Sequence, residues 1–269
     1  MLLTLPQETL NDIVAHLRGE ERALQSLSLV HRRLTEECRS HLFSSVHIDS
    51  LIKLWRWCDT ISPEKDGLSR YTRFLDLNLG KLLCTPASLE PHLVHLRAFS
   101  QVEHLGIRPF HLRHFPGQQL ARYFGHFSAV RSVCIKMSGD PRNILDFLSL
   151  FPLLETTVIK SPFIQEREDN LDLPDHVCHG DLVLKVCKVD DRAELNILSC
   201  FTRPTTRYRK LGLGLVMVHN FAPLEQFLQT CGGSLESVQF ISLLIREFCA
   251  SFNGIVLISM LQSSLGPLP

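Results

Sequence analysis

The chain has 269 residues, of which 28 are lysine or arginine and 28 are aspartate or glutamate, so its formal charge is zero. Non-specific binding to nucleic acid or to an anionic membrane depends on net positive charge, and the balance argues against both kinds of partner. Apolar residues make up 45% and charged residues 21%, which is typical of a folded chain of one or two domains.

Apolar runs and cysteine usage predict an intracellular location. The longest apolar runs, at 211–218 and 254–261, are about eight residues long, whereas a helix that spans a membrane needs about 20. The apolar start of the chain has no basic residue and stops at Gln7, which predicts no signal peptide. The nine cysteines form no C-x-x-C pair, as expected for reduced thiols in the cytoplasm, the nucleus or both.

The first fifty residues predict three short helices. Pro6 suits the first turn of the first helix, and Gly19 ends it. A second helix starts near Glu20, and a third covers 34–43. The apolar residues recur at helical spacing within each segment: Leu10, Ile13, Val14 and Leu17; Leu24, Leu27 and Val30; Cys38, Leu42 and Phe43.

Three blocks in this segment occur together in a known family. They are Leu5-Pro6-x-Glu8, Leu27-Ser28-Leu29-Val30-x-Arg32 and Arg39-x-x-Leu42-Phe43. On these blocks, residues 5–48 resemble the F-box. Two positions depart from the family pattern, Ser28 where a cysteine is common and Leu34 where a tryptophan is common.

The resemblance implies a binding partner. In the family, the F-box docks on the Skp-type adaptor of a cullin–RING ubiquitin ligase, and the rest of the chain holds a protein substrate. We therefore assign 1–48 to an F-box, with a helical cap on the following domain as the alternative. The residues that match the family's adaptor-binding positions are Leu5, Pro6, Leu10, Ile13, Leu17, Leu27, Val30 and Leu42.

A self-similar pattern follows a predicted helical linker at 49–70 and extends over 71–269. Its clearest copies begin at Phe99, Phe127 and Phe151 and read Phe-x-x-h-x-x-h-x-h, where h is apolar except at Thr157. Helical patterns that begin at Pro141 and Pro223 lie between copies. Seven strand signals begin at positions 75, 105, 133, 157, 182, 211 and 238, so the pattern recurs with a period in the twenties.

This period and its L-x-x-L-x-L strands resemble a leucine-rich repeat. The resemblance implies an α/β solenoid of about seven irregular repeats, with parallel strands on the concave side and helices on the convex side. An ordinary α/β domain is the alternative, and the recurring phenylalanine favours the repeat. An F-box followed by leucine-rich repeats is a known family architecture.

No catalytic motif stands out. G-x-S-x-G, P-loop and H-E-x-x-H patterns do not occur in the sequence. We expect no enzyme activity, no cofactor and no metal. The best metal candidates lack the paired spacing of a structural zinc site: His176, Cys178, His179 and Cys187.

Basic residues form the strongest candidate for substrate contact. In a leucine-rich repeat, the residue after each L-x-L pair points to the concave face, and four successive repeats place a cation there. Strands about 4.8 Å apart would stack these side chains in a column, which fits an acidic or phosphorylated segment. A solvated row of surface cations is the alternative. The four residues are Arg108, Lys136, Lys160 and Lys185.

The sequence therefore predicts a non-catalytic substrate-recognition subunit of a Skp–cullin–F-box ubiquitin ligase. Its repeat arc would bind the protein substrate, and neither nucleic acid nor membrane is an expected partner. The alternative is a leucine-rich-repeat interaction scaffold with a helical N-terminal cap and no role in ubiquitination.

Overall fold

The structure is a computed structural model. It describes residues 5–60, 67–78, 93–111, 117–138, 141–163, 179–185, 198, 201–202, 207–214 and 222–240. Within these ranges, three helices precede a parallel sheet that has further helices between its strands. The predicted α/β class is confirmed. No helix in this part of the chain is long and apolar enough to cross a membrane.

The first three helices are α1 (Gln7–His16), α2 (Glu21–Val30) and α3 (Arg32–Leu42). They lie close to the predicted bounds. Gly19 between α1 and α2 has a φ of 101°, a left-handed conformation that suits glycine best. The three helices bury their apolar faces against one another. This N-terminal core consists of Leu10, Val14, Leu24, Leu34 and Cys38.

The described residues form a sheet of eight strands, in which neighbours along the chain pair in parallel. Parallel neighbours require crossover connections, and helices occupy several of these. The strands are β1 (Ser45–Ile48), β2 (Phe74–Asn78), β3 (His104–His111), β4 (Ser132–Ser138), β5 (Thr156–Phe163), β6 (His179–Lys185), β7 (Arg207–Gly214) and β8 (Ser237–Phe240).

The α-helices between the strands whose bounds are described are α4 (Leu51–Thr60), α5 (Gly117–Phe124), α6 (Pro141–Leu148) and α7 (Ala222–Cys231). The predicted helices at Pro141 and Pro223 correspond to α6 and α7, whereas α5 was not predicted. Short 3-10 turns precede β2, β3 and β8 at Leu68–Tyr71, Val94–Ala98 and Gly232–Ser234.

All seven predicted strand signals fall in one register row across the sheet. Residues 75, 105, 133, 157, 182, 211 and 238 pair in that order. The positions two residues later form a second row on the same face, since side chains alternate along a strand. Between residues 75 and 213, both rows are at most 4% exposed and form the centre of the sheet core.

The repeated phenylalanines lie beneath this face of the sheet. Phe99, Phe127 and Phe151 are all buried in the same core. The ring of Phe127 lies 6.3 Å from that of Phe124 in α5, and the ring of Phe151 lies 5.1 Å from that of Phe147 in α6. The phenylalanine at this position therefore packs helices onto the sheet in successive units.

Strand β1 was not predicted and lies within the segment assigned to the N-terminal module. It begins shortly after α3 ends. Val46 and Ile48 extend the two buried rows. The carbonyl of Ser44 accepts two backbone N–H bonds from the start of β2, each 2.9 Å long. The third helix therefore leads directly into the sheet.

Candidate functional site

The sheet face opposite the buried rows carries three rows of mostly exposed or half-buried residues, and we call it the open face. Its rows hold the residues one before, one after and three after each strand signal. The first row is Ser45, Phe74, His104, Ser132, Thr156, Asp181, Lys210 and Ser237, with β1 aligned by its pairing with β2. The middle row is His47, Asp76, Gly106, Cys134, Val158, Val183, Gly212 and Gln239.

The third row contains three of the four predicted substrate-contact residues side by side. Lys136 of β4 pairs in register with Lys160 of β5, and Lys160 pairs with Lys185 of β6. We call these three residues the lysine row. Lys136 is exposed and Lys160 is half-buried. Lys185 belongs to the row because its backbone pairs with that of Lys160.

Arg108, the fourth predicted residue, is set apart from the lysine row. The β3–β4 register shifts between Ile107 and Phe110, so Arg108 has no paired residue on β4. Its Nη2 lies 3.0 Å from Oδ2 of Asp76. Gly106 makes room for this carboxylate, since a Cβ there would lie 2.6 Å from Asp76 Oδ1. Arg108 is therefore already neutralised.

The same carboxylate also contacts a histidine. Nδ1 of His47 lies 2.8 Å from Asp76 Oδ2, and its Nε2 lies 3.8 Å from Oδ2 of Asp49. Asp49 in turn pairs with Lys53 at 2.8 Å. Near β1 and β2, the open face therefore carries charges of both signs that are close enough to neutralise one another.

In the described part of the chain, Lys136 and Lys160 have no such compensation. Among the described residues, neither Lys136 nor Lys160 forms an ion pair, unlike six other basic residues on or near the sheet. Neighbouring like charges about 4.8 Å apart repel by less than about 1 kcal/mol in water, so the sheet tolerates them. The row therefore presents positive potential that an anion can use. The six paired residues are Lys53, Arg70, Arg73, Arg108, Arg131 and Arg209.

A second charged row lies at the other end of the strands, two residues before each strand signal. We call it the alternating row, because positive and negative residues succeed one another along it. Arg73 lies 3.6 Å from Glu103, and Arg131 forms an ion pair with Glu155. Arg209 contacts Asp181 at 3.6 Å. Its members are Arg73, Glu103, Arg131, Glu155, Arg209 and Glu236.

Backbone hydrogen bonds support the alternating row. The N–H of Glu103 donates to the carbonyl of Arg73, that of Arg131 to Glu103, and that of Glu155 to Arg131, at 2.7–2.9 Å. On β6, Gly180 occupies the equivalent position with a φ of 92°. Sequence reasoning missed this row, although charges that alternate in sign two residues before successive strand signals could have revealed it.

The predicted adaptor-binding residues differ widely in exposure. Leu10 is completely buried in the N-terminal core, so in this structure its side chain packs the helices together and offers no surface. Pro6 and Val30 are exposed. The remaining five are half-buried: Leu5, Ile13, Leu17, Leu27 and Leu42.

Among the large apolar side chains in the described ranges, the most exposed was not among those predictions. Leu29 is 87% exposed and its neighbour Val30 is 64% exposed, at the end of α2. Leu34, where the F-box pattern commonly has a tryptophan, is buried. The hydroxyl of Ser28, the other departure, donates to the carbonyl of Gln25 at 2.7 Å. Both departures are thus accommodated within the helices.

Polar and aromatic contacts join the N-terminal helices to the sheet. The Glu36 carboxylate accepts hydrogen bonds from the Tyr71 hydroxyl and from Nη2 of Arg70. The Tyr71 bond, with help from Arg70, lowers the pKa of Glu36, while burial and the bond to Glu36 raise the pKa of Tyr71. Trp57 of α4 packs edge-on against Phe43, with ring centroids 6.0 Å apart.

Metal chemistry has no support in the described residues, which contain no group of three or more His, Cys, Asp or Glu able to hold an ion. Three of the predicted metal candidates, His176, Cys178 and Cys187, lie outside the described residues, and His179 is the first residue of β6.

Comparison with known proteins leaves the family open. A scan against protein-family models gives no match, and a search of the curated proteins finds no similar sequence. Any functional assignment therefore rests on the residues and the geometry described above.

Proposed function

We propose that this protein is the substrate-recognition subunit of a Skp–cullin–F-box ubiquitin ligase. Its N-terminal helices would bind a Skp-type adaptor, and its open face would bind a protein substrate. The observation that carries the proposal is the exposed apolar pair, Leu29 and Val30, on a helical module that has a buried core of its own.

Exposed apolar groups favour burial by a partner. Burying a leucine or valine side chain contributes roughly 1.5–3 kcal/mol, so Leu29 and Val30 together form a strong anchor. Pro6 is exposed as well, and Leu5 and Leu27 are half-buried. These residues all belong to the blocks that match the F-box, and this supports an adaptor as the occupant.

The sheet supports the second half of the proposal. Strand signals that recur at nearly regular intervals, and recurring phenylalanines that pack against α5 and α6, suit an irregular leucine-rich-repeat solenoid. In that arrangement the open face is concave, 49–70 links it to the F-box, and the repeats extend over 71–269. Catalysis would come from other subunits in the cytoplasm or nucleus, while this chain holds the substrate near them.

A second candidate, an interaction scaffold with a helical cap, is favoured by one observation. Because α3 leads directly into β1, the N-terminal helices also adjoin the end of the sheet. A cap needs only to protect that end and requires no adaptor.

Adaptor binding separates the two candidates. The full chain should retain a purified Skp-type adaptor, and the double substitution Leu29→Ala, Val30→Ala should weaken retention at least about tenfold. Leu153→Ala is the matched control, because Leu153 is 49% exposed and distant in sequence from the helices. Absence of adaptor retention by the wild-type chain would reject the ligase function in favour of the scaffold.

A further inference from the structure

We propose that Lys136 and Lys160 bracket a phosphoryl group carried by a protein segment. The inference rests on the proposed function, because it names the class of substrate that the open face takes. The site lies on the open face of the sheet, and binding there does not require the adaptor.

The spacing of the two lysines suits a single phosphoryl group. They are register partners on adjacent parallel strands, and adjacent strands lie about 4.8 Å apart. Each ammonium group sits on a flexible four-carbon stem, so both can reach oxygens of the same group at hydrogen-bond distance. A phosphoryl group has three acceptor oxygens and a charge of about −1.5 to −2, which matches two lysines better than one carboxylate does.

Both lysines are available for such a ligand. In the described ranges, neither forms an ion pair, whereas Arg108 of β3 is held by Asp76. Neighbours of opposite charge do occur just before the start of the same two strands, where Arg131 forms an ion pair with Glu155. The sheet could accommodate a carboxylate opposite Lys136 in the same way, yet it places a second cation there.

The adjacent row supplies an apolar surface. Next to the lysine row, the middle row holds Cys134, Val158 and Val183, all half-buried. None of these side chains is a strong hydrogen-bond acceptor that would compete for the ammonium groups. An apolar residue beside the phosphorylated one can pack here and exclude water, which strengthens the attraction between the charges.

A peptide-retention experiment tests the site. Full-length chain is applied to three immobilised random peptide pools with a central phosphoserine, serine or glutamate. We expect at least tenfold greater retention on the phosphoserine pool than on the serine pool, with the glutamate pool in between. Equal retention on the phosphoserine and glutamate pools would mean that the site binds acidic groups in general and is not specific for a phosphoryl group. Equal retention on all three pools would reject both kinds of site.

Lysine substitutions test where the phosphoserine peptides bind. Lys136→Gln with Lys160→Gln should lower retention on the phosphoserine pool about tenfold and flatten its salt dependence. Lys210→Gln is the matched control, because Lys210 is an exposed lysine on the first row of the same face, and its effect should stay below twofold. An equal loss with Lys210→Gln, or no loss in the double variant, would overturn the proposal. So would binding to phosphoinositide vesicles in place of peptides.

Adaptor retention is measured on the same samples. If selective phosphopeptide retention depends on the two lysines while no adaptor binds, the phosphoryl site stands and the ligase function fails. If the adaptor binds while the peptide pools are retained equally, the ligase function stands and the phosphoryl site fails.

Discussion

Charged residues are arranged in opposite ways at the two ends of the strands. At their start, the alternating row sets arginine beside glutamate, and ion pairs join Arg73 to Glu103 and Arg131 to Glu155. At their end, the lysine row sets like charges side by side, and neither Lys136 nor Lys160 has an ion-pair partner among the described residues. The neighbouring strands β4 and β5 carry a pair from each row, Arg131 with Glu155 just before them and Lys136 with Lys160 within them. Sheet stability therefore accounts for the first arrangement and leaves the second unexplained.

The energies involved are small at both ends. The paired side chains of the alternating row are about half exposed, and such pairs contribute about 0–1 kcal/mol each. Their main effect is on register, since cross-strand charges favour one alignment of neighbouring strands. Charge substitutions should therefore change the free energy of unfolding only modestly. The sign of the change, more than its size, should distinguish the two rows.

The largest expected effect comes from the gap in the alternating row. Gly180 has a positive φ, and a Cβ there would lie 2.0 Å from the Glu155 carbonyl. That carbonyl also accepts the N–H of Asp181 at 2.7 Å. Gly180→Ala should therefore destabilise the fold by about 3 kcal/mol, since strain and a displaced hydrogen bond add. Urea unfolding measures the change.

Gly233→Ala is the control for that substitution. A Cβ at Gly233 would meet nothing within 4 Å, so the loss should stay below about 1 kcal/mol. Similar losses for the two variants would mean that β6 does not approach β5 as the structure places it.

The same charge reversal should have opposite effects in the two rows. Arg131→Glu places a carboxylate beside Glu155 and should destabilise the fold by about 1 kcal/mol. Lys136→Glu places a carboxylate beside Lys160 and should stabilise it by up to about 0.5 kcal/mol. Urea unfolding at low salt compares them, with Arg131→Gln and Lys136→Gln as charge-neutral references.

Added salt provides a check on these two charge reversals. Because salt screens exposed charges, both effects should shrink toward those of the glutamine variants at roughly 1 M salt. Destabilisation by Lys136→Glu relative to Lys136→Gln would show that the lysine row is not a row of neighbouring like charges.

The smallest expected effect concerns Glu36, at the joint between helices and sheet. The pKa of Glu36 lies below its ordinary value of 4.5, mainly because the Tyr71 hydroxyl donates to the carboxylate. A lowered folded-state pKa contributes stability above the unfolded-state pKa, and this contribution is lost as pH falls through the folded-state pKa. Tyr71→Phe should raise the Glu36 pKa and weaken the loss of stability on acidification.

Carboxyl carbon NMR titration of Glu36 in both proteins measures the shift. Urea midpoints at neutral pH and near pH 3 should differ slightly more in the wild type than in Tyr71→Phe. An unchanged Glu36 pKa in the variant would assign the effect to Arg70 instead, whose Nη2 also bonds the carboxylate.

Local sequence patterns sufficed to predict much of the fold. The strand signals from position 75 to position 238 align in one row because alternation along a strand is a short-range property. Helices α6 and α7 carry a proline in their first turn, which marks a helix start. Helix α5 has apolar residues at helical spacing, Leu120, Tyr123 and Phe124, but it begins at Gly117, and glycine is typical of a turn more than of a helix.

Other features depend on contacts between distant residues. Strand β1 is very short and is defined by its pairing with β2, which lies beyond α4 in the chain. The Arg108–Asp76 ion pair requires both the register shift and the space above Gly106. For Leu10, helical spacing shows an apolar face but not whether another helix or a partner covers it.

The order of strands in the sheet has a consequence for synthesis. Each strand pairs with the one made just before it, across a single crossover connection. The entropy of closing such a loop rises only slowly with its length, so none of these pairings is much costlier than the others. The three helices before β1 leave the ribosome ahead of the sheet and contain their own core. The nascent chain can therefore grow from that nucleus one strand at a time, each new strand covering the exposed edge left by the last.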